Sequence, residues 1–270
     1  MRILRRRIRN LSGEVLHGDL HSASDGGDLV IVCHGFGKTW NKNRPLYRSI
    51  CSAFQSSGIN AFRFSFSGIA PSEGNAEDSS YTKQKSDLAA VIEYFSAKLR
   101  PRAITIVAHS FSSVAAVLQA AEDPRIRLLL LVAPRLDSRK SMTTAAIEAY
   151  CGKRLEEIVA SPSRQYPIGP INLGGIEYLF SKRFLEDLIH TDIPGAIAHL
   201  SIPVTIVRGV RDTKVSEEEV LGAVSRNALV SYIPLAECGH SFSTPEQKES
   251  LCRTLLKAFR SALPQGHIPR

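Results

Sequence analysis

Continuous apolar runs alternate with amphipathic stretches along most of the chain. The runs DLVIVC (28–33), INAFRFS (59–65), AITIVA (103–108), RLLLLVA (127–133) and PVTIVRG (203–209) are apolar at nearly every successive position. Strands of that kind are covered on both faces, which is the signature of a mostly parallel sheet. Between the runs the period changes to that of a helix. In residues 84–99 the apolar positions are Leu88, Val91, Ile92 and Phe95, and in 45–56 they are Leu46, Ile50, Ala53 and Phe54, stopped by Gly58. Ser216 with Glu219, and Thr244-Pro245 with Gln247, predict two further helix starts by capping. A last strand is predicted at 228–233, and residues 13–21 read as one arm of an antiparallel hairpin that feeds the sheet. The fold class is α/β, with a central, mostly parallel sheet flanked by helices.

One stretch breaks the rhythm. From Pro134 to about Leu200 no strong strand is predicted, only polar helical pieces and the Pro- and Gly-rich loop SPSRQYPIGPINLGG (161–175). The chain is therefore divided into a core of residues 1–133 and 201–270 and a lid or cap insertion of residues 134–200, since excursions of that length inside a compact domain are commonly functional.

Composition narrows the function classes. The 270 residues carry 34 Lys+Arg against 26 Asp+Glu, a net charge of +8. The one visible cluster is MRILRRRIR at residues 1–9, which reads as a solvated edge strand guarded by positive charge. No nucleic-acid-binding motif accompanies it, so no nucleic-acid partner is expected. No run approaches the ~20 apolar residues of a membrane span, and the first residues lack a signal-peptide core, so the expectation is a cytoplasmic protein. Five scattered cysteines without Cys-x-x-Cys spacing read as reduced, mostly buried thiols. The pattern leaves a homodimer open.

The candidate chemistry sits at the ends of the predicted strands. VAHSFSS (107–113) places Ser110 between a strand and a helix, where a nucleophile elbow would sit, although the usual G-x-S-x-G is replaced by Ala108, His109, Ser110, Phe111 and Ser112. Small residues are needed there because strand and helix backbones approach closely, and alanine and serine are the smallest substitutes after glycine. Alone, a serine in this weakened motif is more often a helix-start hydroxyl than a nucleophile. Asp212, in GVRDTKV after the 203–209 strand, and His240, in ECGHSF after the 228–233 strand, complete the chain order Ser, Asp, His. HGFG (34–37), after the first long apolar strand, supplies a turn from which the backbone N–H of Phe36, together with that of Phe111, would receive an oxyanion. His34 reads as a structural hydrogen-bonder beneath that turn. Such a site hydrolyses an acyl bond through a covalent serine intermediate and needs neither metal nor organic cofactor.

These residues resemble the α/β-hydrolase superfamily, and more closely its serine aminopeptidase, lipase-like branch, which includes bacterial feruloyl and cinnamoyl esterases. The resemblance runs over almost the whole chain. It is carried by VIVCHGFG (30–37), NAFRFSFSG (60–68) with SEG (72–74), PVTIVRGVRDTKVS (203–216) and AECGHSF (236–242), and less specifically by INLGGIEYL (171–179). Ser65 stands where that branch usually has aspartate, in a segment that is mainly architectural. The resemblance implies the α/β-hydrolase fold and a serine carboxylesterase, of aryl or feruloyl-type esters among others, acting on a small-molecule ester. A thioesterase or peptidase with the same triad, or a non-hydrolytic binding protein on this fold, remains the alternative. Trp40, Tyr166 and Tyr178 either line the substrate pocket or pack in the core beside it. His109 is expected to serve structurally, Glu237 to be a weaker candidate for the acid, and Asp187, His190 and Asp192 to be solvated residues of the insertion.

Overall fold

Residues 2–23, 27–37, 45–139, 141–173 and 175–263 are described by a computed structural model. The main strands are β1 (Arg2–Arg9), β2 (Val15–Ser22), β3 (Leu29–Cys33), β4 (Asn60–Phe64), β5 (Ile104–His109) and β6 (Ile126–Val132). A hairpin of β7 (Ile168–Leu173) and β8 (Ile176–Phe180) follows, and then β9 (Val204–Gly209) and β10 (Val230–Leu235). All but the hairpin form one sheet in the order β1-β2-β4-β3-β5-β6-β9-β10. From β4 to β10 the neighbours are parallel, while β1 and β2 join antiparallel at one edge. The arginine-rich segment is thus an edge strand, as expected.

Each parallel strand splits its residues between two cores. Leu29, Ile31 and Cys33 of β3 face one apolar cluster, and Val30 and Val32 face the other. In β6, Leu129 and Leu131 take the first side, while Leu128, Leu130 and Val132 take the second. Period-two alternation with both faces buried is why these strands read as unbroken apolar runs. The second cluster is covered by α1 (Pro45–Ser56) and α9 (Pro245–Ala262), through Leu46, Ile50, Phe54, Leu251, Leu255 and Phe259. The first lies under α2 (Tyr81–Leu99), α3 (Ser112–Ala120) and α8 (Glu217–Val224). Both predicted caps form: the Ser216 hydroxyl accepts from Glu219 N–H and the Thr244 hydroxyl from Gln247 N–H.

The stretch 134–200 is more ordered than its sequence suggests. It contains α4 (Met142–Cys151), α5 (Leu155–Ala160), the β7–β8 hairpin, α6 (Lys182–His190) and α7 (Ile193–Ala198). The hairpin corrects the expectation of no strand. Its strands are masked in the sequence because Gly169 and Pro170 interrupt β7, where the pairing slips between Ile168 and Ile171. Ile147, Ile158, Ile168, Phe180 and Leu188 join the same apolar cluster as the sheet, so this stretch shares a core with the sheet. Asp187 is also corrected: it is buried and accepts from the Thr82 N–H at 2.8 Å, tying α6 to α2, whereas His190 and Asp192 are exposed. Among the described residues no helix is long and apolar enough to cross a membrane, and all five cysteines are free thiols.

Candidate active site

Parallel strands deliver their C-terminal ends to one edge of the sheet, where loops can meet. There β3 leads into the turn at 34–37, β5 into Ser110, β9 into Asp212 and β10 into His240. Ser110 takes φ +57°, a left-handed backbone that costs an L-residue ~1–2 kcal/mol. The tight turn that imposes it aims the hydroxyl away from the sheet, and α3 begins two residues later. Gly35 packs against this elbow: a Cβ there would lie 3.0 Å from the His109 ring and 3.4 Å from Ser110 Cβ. Gly209 is equally confined, since a Cβ there would run into the Cys238 carbonyl, so the acid and histidine loops can touch only without one.

The three predicted side chains form one line. The Ser110 hydroxyl donates to His240 Nε2 at 3.0 Å, and His240 Nδ1–H donates to Asp212 Oδ2 at 2.9 Å. Asp212 is 6% exposed, and its other oxygen accepts from the N–H groups of Lys214 (2.7 Å) and Val215 (3.1 Å). Burial would push the Asp212 carboxyl up, but the bond and charge of His240 and those two N–H groups outweigh it and hold the carboxyl below its ordinary value. Because Asp212 accepts at Nδ1, the proton of a neutral His240 sits on that nitrogen. Nε2 is then bare and faces the serine, which is the state a general base requires.

The other expected residues sort by position. Phe36 and Phe111 pack ring to ring at 5.0 Å, and neither backbone N–H has an acceptor among the described residues. Phe36 lines the same cavity of about 380 Å³ as Ser110 and His240. Tyr178 lines it too, from β8, with its ring 4.9 Å from that of Phe36. Tyr166 is a correction. It lies away from the cavity because its hydroxyl donates to the Ile158 carbonyl at 3.3 Å and holds the ring against α5. Trp40 lies outside the described residues. His34 is the structural hydrogen-bonder expected, accepting from Phe66 N–H at Nε2 and donating from Nδ1 to the Gly35 carbonyl. Glu237 is exposed and ion-paired with Arg211.

Two supports escaped the sequence reading. Tyr47 of α1 accepts from the Gly35 N–H at 3.0 Å and contacts His109 Nδ1 at 2.9 Å, and His109 Nε2 meets the His240 carbonyl at 3.0 Å. A carbonyl only accepts, so His109 is protonated at Nε2, and its Nδ1 accepts from the Tyr47 hydroxyl when the ring is neutral. One chain of bonds therefore joins the 34–37 turn, the elbow and the histidine loop. Arg208, buried at the end of β9, donates to the carbonyls of Val215 and Asp212 and fixes the acid loop. A cation inside an apolar strand is the signal that could have exposed it.

The substituted elbow is also explained. Ala108 and Ser112 are fully buried, and the Ser112 hydroxyl lies 3.3 Å from the Cys33 carbonyl and 3.2 Å from that of His109. A hydroxyl thus fits where the motif has glycine because it finds acceptors on the strand end and the turn. Ser112→Gly should cost about 1 kcal/mol or less and preserve hydrolysis. Ser112→Leu should overpack the elbow, lowering stability by about 1–3 kcal/mol and activity with it. Denaturant unfolding and steady-state kinetics of the two variants check this, and a fully active Leu variant would overturn it.

The chain is similar to known proteins in family and in fold. A model of the family described as serine aminopeptidase, S33, matches residues 27–168, which include the 34–37 turn and the Ser110 elbow. Over 133 residues the chain is 31% identical to the thiohydrolase apmlB of Arthrinium phaeospermum. That alignment covers 47% of this chain and 41% of the relative, so the chain spans about two-fifths of the length of the curated protein it matches. Among solved structures, the α/β hydrolase GrgF from Penicillium sp. sh18 superposes with a TM-score of 0.77 at 18% identity, covering 97% of this chain and 99% of that one. Est1E from Butyrivibrio proteoclasticus, with ferulic acid bound, gives 0.76 at 16% identity over 93% and 98% of the two chains. At such identities the likeness establishes the α/β-hydrolase fold.

Proposed function

Because this chain belongs to the serine aminopeptidase (S33) family of the α/β-hydrolases, we propose that it hydrolyses carboxylic esters through an acyl-serine intermediate. The observation that carries the reading is the unbroken hydrogen-bonded line from Ser110 Oγ through His240 to the buried Asp212, opening into the cavity that Phe36 and Tyr178 line. In the first half-reaction Ser110 Oγ attacks the ester carbonyl while His240 Nε2 takes its proton. Asp212 holds the imidazole and offsets the charge it gains. The oxyanion of the tetrahedral intermediate is received by the Phe36 and Phe111 N–H groups, each worth about 10²–10³ in rate by analogy with one measured donor. Collapse expels the alcohol, protonated by His240. A water molecule then repeats the sequence on the acyl-enzyme and releases the acid.

Residues 134–200 serve as the cap in this reading, because Met142, Leu173 and Tyr178, which wall the cavity above the serine, all come from them. Thioester hydrolysis is the second reading, favoured by the identity to a protein described as a thiohydrolase. Both reactions use the same triad.

The reading is tested by treating the purified chain with a fluorophosphonate and measuring hydrolysis of p-nitrophenyl esters, methyl ferulate and acyl thioesters. Stoichiometric labelling on the peptide containing Ser110, with turnover of at least one ester, is expected. Turnover confined to thioesters would select the second reading. Absence of both label and turnover would sink the hydrolase assignment.

A further inference from the structure

Two cations share the cavity with Ser110, and among the described residues neither donates a hydrogen bond to a carboxylate. Arg135 lies on the loop after β6, whose course is locked to the elbow by the Arg135 N–H donating to the Ser110 carbonyl at 3.1 Å. Its side chain is 12% exposed. Its nearest carboxylate is Glu219, with 3.8 Å between Nη1 and Oε2, and the other Glu219 oxygen is occupied by the N–H groups of Leu136 and Asp137. Among the described residues the Arg135 guanidinium donates no hydrogen bond. A guanidinium has five N–H donors, and burying them without acceptors is costly unless something in the cavity supplies them. Lys214 stands on the same lining. Its backbone is fixed by the bond to Asp212, and its ammonium has no carboxylate within ion-pairing distance among the described residues.

Among the described residues no carboxylate side chain lines this cavity, while Met142, Ala146 and Leu173 give it an apolar wall. The interior therefore combines apolar surface with one cation that meets its carboxylate only at 3.8 Å and a second without an ion pair among the described residues. We infer that the site takes an amphiphilic acyl substrate bearing an anionic group, a carboxylate or a phosphate, which Arg135 binds at depth and Lys214 at the rim. The inference rests on the hydrolase reading above and adds a substrate class to it. The anion could lie on the acyl part or on the leaving group, and the chemistry of recognition is the same.

Matched substrate pairs test the inference. For the acyl arm, mono-(4-nitrophenyl) glutarate is compared with 4-nitrophenyl glutaramate, its neutral isostere. For the leaving-group arm, butyryl-CoA is compared with butyryl-pantetheine. In at least one arm kcat/KM should favour the anionic member by about tenfold to a hundredfold, the range of a charge-assisted hydrogen bond. The ratio should fall towards one in Arg135→Gln, be partly kept in Arg135→Lys, and decline with added salt through the exposed Lys214. Lys214→Gln, at a surface position, should reduce it without endangering the fold.

Ratios within twofold of one in both arms of the wild type, or an anion preference that persists in both glutamine variants, would overturn the inference. Calorimetric titration of Ser110→Ala with monomethyl glutarate and with CoA separates this outcome from failure of the hydrolase reading. Binding that weakens tenfold or more on adding Arg135→Gln supports the anion site even if no substrate turns over. No binding of either probe refutes it, whatever the hydrolytic activity.

Discussion

Ser110→Ala is expected to lower kcat by about 10⁶-fold while leaving KM within a few-fold, the scale found when a triad serine is removed from a serine hydrolase. The loss is this large because the hydroxyl 3.0 Å from His240 Nε2 is where the acyl group would be bonded, and the remaining residues can only bind and polarise. What survives should be the contribution of the Phe36 and Phe111 N–H groups. The same position makes a second, opposite statement about stability. Ser110 holds φ +57°, so Ser110→Gly should raise the unfolding free energy by about 1 kcal/mol by relieving the left-handed strain, while Ser110→Ala keeps the strain and should be nearly neutral. Steady-state kinetics with denaturant unfolding of both variants check the pair. Activity within tenfold of wild type in Ser110→Ala would remove Ser110 as nucleophile. A glycine variant no more stable than the alanine one would remove the argument that the strain serves the chemistry.

The parts of this arrangement legible in the sequence are those whose local pattern repeats their tertiary role. β3, β5 and β6 are visible as unbroken apolar runs because both their faces are buried. Ser110 and Asp212 are visible because each follows such a run, and His240 because it follows the last predicted strand, so their chain order already implies one sheet edge. What stays hidden depends on partners distant in sequence. Nothing near Tyr47 signals that its hydroxyl bridges Gly35 and His109, a contact that spans 62 residues on one side. Asp187 looks like a solvated acid on a polar helix until α6 is laid against the start of α2, 105 residues earlier, where the Thr82 N–H needs an acceptor. The β7–β8 hairpin is hidden for a local reason: glycine and proline inside β7 erase the period that would reveal a strand. Tyr166 and Tyr178 flank that strand and look equivalent in sequence, but only the hairpin fold decides that Tyr178 turns to the cavity and Tyr166 to α5.

Asp212→Asn is expected to cost about 10⁴-fold in kcat, the magnitude known for the same change in a serine protease triad, and the donors around this carboxylate explain why the amide cannot compensate. Oδ1 of Asp212 is held by the N–H groups of Lys214 and Val215, and Oδ2 faces His240 Nδ1. An asparagine must turn its oxygen towards the two backbone donors, because its NH₂ placed there would oppose them. Its NH₂ then faces Nδ1 and donates to it, which moves the imidazole proton to Nε2. A protonated Nε2 cannot take the proton of Ser110, so the substitution blocks the base through its tautomer while leaving the shape of the site intact. Asp212→Ala, which imposes no tautomer, should lose no more activity than Asp212→Asn. The stability signature has a definite sign. The folded-state carboxyl is held below its ordinary value, so its stabilising contribution is fully present above the unfolded-state value near 4 and is lost as pH falls through the lower folded value. The stability difference between wild type and Asp212→Asn should therefore shrink on acidification below about pH 4 and stay level above it. Chemical denaturation across that range, beside the pH dependence of kcat, measures both effects. An Asn variant within tenfold of wild-type kcat would show that His240 is positioned and polarised by something other than Asp212.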